Sequence, residues 1–188
     1  MLKKLTMTSI TLAMAVAFTS FPARAQLGSG TGTTTLSVTV GAEAGLTVAA
    51  TSTLTSVGTN FANYTSSTAL TYYVRTTQTS GAGSITAKVT TDFSPVGGPS
   101  VATPPTAGDA LAYTSSGTAP GNGGTGAVMA FAGISSSTTA QTNVATFAAN
   151  NRSLITGNSE SVAWTLTNDP KYQTGSYSAT VTFTISAT

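Results

Sequence analysis

The chain has no cysteine and no histidine, and only 6 % of its 188 residues are charged, where soluble chains typically carry about 25 %. Without cysteine no disulfide frames the fold, so packing and strand pairing must hold it. Without either residue, Ser-His-Asp and Cys-His nucleophile systems are excluded, as are zinc sites of the usual His/Cys type. Five carboxylates, a few basic side chains and many hydroxyls remain for chemistry. The chain therefore reads as non-enzymatic, with no cofactor and no metal site.

What is present begins with an export signal. Lys3 and Lys4 precede a mostly apolar run over residues 5–18, and Pro22 leads into Ala23-Arg24-Ala25. This order predicts a signal peptide over residues 1–25 and a mature chain starting at Gln26. The run is shorter than the 20 or so residues that span a bilayer, and no later segment is long and apolar enough to do so. The expected location is secreted, periplasmic or cell-surface. Cleavage removes Lys3, Lys4 and Arg24. That leaves Arg75, Lys88, Arg152 and Lys171 against Glu43, Asp92, Asp109, Glu160 and Asp169, one negative charge in excess. Four scattered cations cannot form the stripe that a phosphate backbone requires, so nucleic acid is not an expected partner.

Period-two alternation recurs along the rest. Leu36, Val38 and Val40 alternate with hydroxyls, as do Leu70, Tyr72 and Val74 with Thr71, Tyr73 and Arg75. Ile85, Ala87 and Val89 form a third such row and Val162, Trp164 and Leu166 a fourth. In the last, Tyr177, Ala179, Val181, Phe183 and Ile185 share one face, with Ser and Thr on the other. Strands with one apolar and one polar face predict two antiparallel sheets pressed together, an all-β sandwich formed by a single domain over 26–188.

Turn residues separate these rows. Ser80-Gly81-Ala82-Gly83 reads as a hairpin connection, and Asn168-Asp169-Pro170 with Gly175 as a longer loop. Residues 94–126 are rich in Gly and Pro and read as long surface loops, with one short strand candidate at 110–113. A further strand candidate covers 128–134, while 143–150 is ambiguous and open to a short helical turn.

Each apparent site has an ordinary counterpart. Asp92 and Asp109 are the only carboxylate pair to consider for glycoside hydrolysis, which needs two carboxyls about 5 to 9 Å apart; both also suit turns. Asn168 and Asp169 make a weak calcium candidate in what is first a turn. Gly121-Asn122-Gly123-Gly124-Thr125-Gly126 matches a dinucleotide fingerprint as a string but lacks the strand–turn–helix setting, so it reads as a loop. Trp164 could stack on sugar, yet its row with Val162 and Leu166 places it in the core. Tyr73 and Tyr172 are the better exposed-aromatic candidates. Asn63 and Asn151 head glycosylation sequons. Thr-x-Thr pairs such as Thr53/Thr55 and Thr182/Thr184 suit solvent-facing strands more than a flat ice-binding array.

The ends of the mature chain carry a resemblance. Thr35-Leu36-Ser37-Val38-Thr39-Val40, Gly45-Leu46-Thr47-Val48, and Leu54 ahead of Val57-Gly58 are similar to the start of spore-coat-U-like and archaic chaperone–usher pilin subunits. The stretch from Gly175-Ser176-Tyr177 through Phe183-Thr184-Ile185 resembles their terminal strand. The chain differs in lacking cysteine and in ending Ser186-Ala187-Thr188 without an aromatic residue. The resemblance implies an Ig-like surface subunit of a pilus or coat that self-associates, or joins another subunit, through an edge strand. An incomplete sandwich exposes an apolar groove and unpaired backbone, which an alternating extended segment can fill. Residues 26–40 are the candidate donor, with Gly28-Ser29-Gly30-Thr31-Gly32 as a tether. The alternative for 33–40 is the first strand of its own sandwich. A secreted carbohydrate-binding module, using loops within 94–126 and exposed tyrosines, is the competing function.

Overall fold

The computed structural model describes residues 31–101, 109, 111–134, 138 and 140–188. The expected signal peptide and the expected start at Gln26 lie outside them. The described residues from Thr39 to Thr188 form one compact unit, and residues 31–38 lie outside it.

The described residues contain strands and no helix: β1 (Glu43–Val48), β2 (Thr55–Ser56), β3 (Tyr64–Arg75), β4 (Gly83–Ser94), β5 (Leu111–Gly117), β6 (Ala132–Ile134), β7 (Thr142–Phe147), β8 (Asn158–Leu166) and β9 (Ser178–Ala187). One antiparallel sheet runs β1-β3-β8-β5-β6, with β2 added on β3; the other runs β7-β4-β9. Alternation explains both faces. On β3, Leu70, Tyr72 and Val74 are buried, and on β4 so are Ile85, Ala87 and Val89. Tyr72 meets Phe147 from the other sheet at 5.1 Å, and Trp164 meets Phe183 at 6.3 Å. The two apolar faces thus form one layer, the all-β sandwich expected from the sequence.

Three local expectations are corrected and one is extended. The first alternating row, Leu36 to Val40, is not a strand: residues 31–42 lie outside every strand, and the sheet begins at Glu43. Alternation creates a strand only where a neighbour supplies backbone partners. The turn after Arg75 is not a hairpin, because β3 and β4 belong to different sheets. Residues 76–82 cross between them, tied by Thr76 Oγ1 donating to Ala148 O at 2.7 Å and Thr77 N donating to Thr188 O at 2.9 Å.

Within the stretch 94–126 the strand candidate at 110–113 is borne out from Leu111 and extended: β5 runs on to Gly117, between β8 and β6 in the larger sheet. Its inward row is Leu111, Tyr113 and Ser115, and the polar Ser115 conceals the alternation. Its hydroxyl is satisfied by donation to Val144 O at 2.6 Å. Finally, 143–150 is largely strand, not helix. Thr142–Phe147 pairs with β4 across a bulge at Ile85/Thr86, tertiary pairing overriding the local alanines.

Candidate functional site

Among the described residues β9 pairs only with β4, in the register Val181↔Val89, Phe183↔Ala87 and Ile185↔Ile85. The three β4 residues are completely buried, whereas Val181, Phe183 and Ile185 are only partly so. The difference comes from pairing: among the described residues β4 has strand partners on both sides and β9 on one, although β1 of the other sheet also comes close to β9. Beside the start of β9 lies a groove of about 420 Å³, lined by Val48, Leu54, Phe93, Trp164, Tyr177 and Phe183 among others. It has an apolar floor, and along one wall runs the edge of β9 that has no strand partner among the described residues. Such an edge is a template for another strand.

Residues 31–38 belong to the segment that the sequence offers as a donor arm. Leu36 is 90 % and Val38 85 % exposed, and neither belongs to a strand.

A second unusual feature lies deep in the sandwich. Asn158, Glu160, Val162, Trp164 and Leu166 share the inward face of β8, and Glu160 is 1 % exposed. Neither of its carboxyl oxygens has a hydrogen-bond partner, nor does the buried Asn151 Nδ2. A Cβ on Gly117 would come within 1.8 Å of Glu160 Oε2, so a side chain at 117 would collide with the carboxyl. Burial pushes the Glu160 carboxyl up to about 8, against a smaller opposing effect of Ser115. At neutral pH the acid is therefore held mostly neutral, since burial penalises the charged form. Tyr72 is raised too, first by burial and then by the Glu160 charge; its hydroxyl donates to Thr118 O at 2.6 Å. Sequence reasoning passed over Glu160, although extending the Val162–Leu166 alternation back by one step points it inward.

The residues singled out in the sequence scatter. Asp92 organises its own loop: its carboxylate accepts from Phe93 N, Val101 N and Ser100 Oγ at 2.6 to 2.8 Å. Asp109 is buried and binds Lys171 Nζ at 2.9 Å and Tyr172 Oη at 2.7 Å. Lys171 is raised chiefly by its hydrogen bond to Asp109. Tyr172, expected as an exposed aromatic, is thus half-buried with its hydroxyl engaged. Tyr73 is 41 % exposed and Trp164 only 5 %, as their alternation requires. Trp164 Nε1 donates to Thr68 Oγ1 at 2.9 Å. Asp169 turns its own loop, accepting from Lys171 N at 2.9 Å, while Asn168 Nδ2 donates to Ala62 O. Among the described residues no group of three or more acidic side chains converges for a metal ion. Asn151 is 1 % exposed, so its sequon is closed in the folded chain, while Asn63 is exposed. No helix among the described residues is long and apolar enough to cross a membrane.

No protein-family model, no curated protein and no solved structure matches this chain.

Proposed function

We propose that the chain is an exported, non-enzymatic surface subunit with an Ig-like sandwich that assembles by accepting a strand along β9. The observation that carries this reading is the contrast across one register. Ile85, Ala87 and Val89 of β4 are fully buried, and their β9 partners Ile185, Phe183 and Val181 are only partly buried, on a strand with no second partner among the described residues. Strand addition would supply the missing backbone bonds and cover Val181, Phe183 and Ile185 together. The proposed occupant is the arm at residues 26–40 of a second copy, since Leu36, Val38 and Val40 repeat at the spacing of one strand face and are 90 %, 85 % and 62 % exposed.

The test is deletion of residues 26–40 from the mature protein, followed by light scattering with and without a peptide of that sequence. Donation in trans predicts a folded monomer that binds the peptide and is stabilised by it, while the full-length chain forms oligomers. A full-length chain that stays monomeric, with no peptide binding by the deletion variant, would end this reading.

A further inference from the structure

Where β1 begins and β3 ends, the loop at 121–123 and the segment 152–155 enclose a depression of about 890 Å³. That size is in the range of small-molecule sites, roughly 300–1,000 Å³. It shares no lining residue with the groove beside β9. Register builds it: Glu43 pairs with Arg75 and Gly45 with Tyr73, and Arg75 bridges in turn to Arg152. Two guanidiniums thus stand opposite each other, one on β3 and one at an isolated bridge, an arrangement that costs stability unless something offsets the repulsion.

Arg75 has its counter-charge. Its Nη2 pairs with Glu43 Oε2 and its Nε donates to Gly41 O at 2.8 Å. Arg152 has no carboxylate within ion-pair distance among the described residues. It is nevertheless held in place, with Nε donating to Asn122 O at 2.8 Å and Nη2 lying against Gly123, where a Cβ would come within 2.1 Å. Gly123 has φ +72° and leaves that space to the guanidinium. Beside it, the Tyr73 ring faces Gly45, which has no side chain to cover it, and the hydroxyl is tied to Thr156 O at 3.4 Å.

We propose that this depression binds a uronic acid, a sugar ring bearing a carboxylate, with Arg152 taking the carboxylate and Tyr73 the ring's C–H face. A guanidinium fork matches a carboxylate bidentately, and an exposed aromatic face suits the apolar face of a sugar. Two guanidiniums and one carboxylate leave a single positive charge in excess, which matches the one carboxylate that a single uronic acid ring brings to the site. A phosphate dianion would place a second negative charge near Glu43.

The test is titration of the folded mature protein with trigalacturonate, read by amide NMR shifts at 121–123 and 152–155, with maltotriose and inorganic phosphate as controls. Trigalacturonate is expected to saturate these shifts and to bind more weakly as salt rises. Arg152→Gln and Tyr73→Ser should each weaken binding by roughly tenfold, with Arg152→Lys in between. Thermal melts establish that each variant is folded; if Arg152→Gln is not, Arg152→Lys and Tyr73→Ser carry the comparison. No saturation by trigalacturonate, equal binding of maltotriose, equal displacement by phosphate, or full affinity in the folded variants would each overturn the proposal.

Discussion

Trp164 on β8 and Phe183 on β9 meet edge-on across the sandwich with ring centroids 6.3 Å apart, yet Trp164 is 5 % exposed and Phe183 only partly buried. Trp164 sits mid-sheet and donates its indole N–H to Thr68, whereas Phe183 belongs to the free edge. The two rings should therefore differ in what their loss does. Trp164→Ala should cost about 3–5 kcal/mol in denaturant titration, the range for a large buried aromatic. Phe183→Ala should cost less in the isolated domain, about 1–3 kcal/mol, and more once a strand covers the edge. Equal losses in both states would mean that β9 is never covered.

An inward charge on the edge strand should block assembly without unfolding the domain. Val181→Lys places an ammonium on the half-exposed row of β9, where its stem can reach water. The expected outcome is a folded monomer, destabilised by about 1–2 kcal/mol, that no longer takes up the 26–40 peptide; inward charges blunt sheet edges in this way. Undiminished peptide uptake measured by calorimetry would place the acceptor elsewhere.

Glu160 gives the domain a pH dependence of defined sign. Its folded pKa of about 8 lies above the ordinary 4.5, so between these values the native state keeps a proton that the unfolded chain has lost. The contribution is complete below about pH 4.5 and declines as pH rises to about 8, at up to about 1.4 kcal/mol per pH unit. Urea titrations from pH 5 to 8 should show this slope, and Glu160→Gln, neutral throughout, should flatten it. A wild-type profile that rises with pH over this window would contradict the buried neutral acid.

The Gly117 position offers an independent check on the same carboxyl. Gly117→Ala drives a methyl into Glu160 Oε2 and should destabilise by about 1–3 kcal/mol, as overpacking does. Pairing it with Glu160→Ala, which removes the colliding group, should recover part of that loss in a double-mutant cycle. Strict additivity would show that the two positions do not touch.

Alternation between apolar and hydroxyl residues by itself determined the fold class and the inward rows of β3, β4 and β8, because a strand turns successive side chains to opposite faces whatever its partner. The missing histidine and cysteine likewise determined which catalytic and zinc sites are excluded. Tertiary structure alone decided which rows become strands and which become buried. Leu36–Val40 and Val181–Ile185 have the same pattern, yet 36–40 joins no strand and 181–185 lies in an edge strand. Pairing is a property of two segments, and one sequence row cannot state its partner. Ser115 and Glu160 stand in step with the inward rows of their strands but break the apolar pattern, so their polarity hides what the alternation alone would place inside. The neighbours of Arg152 show the same limit: Tyr73, Asn122 and Glu43 are far apart along the chain, and the pairing of β1 with β3 and the bridge from Arg75 gather them at one end of the sandwich.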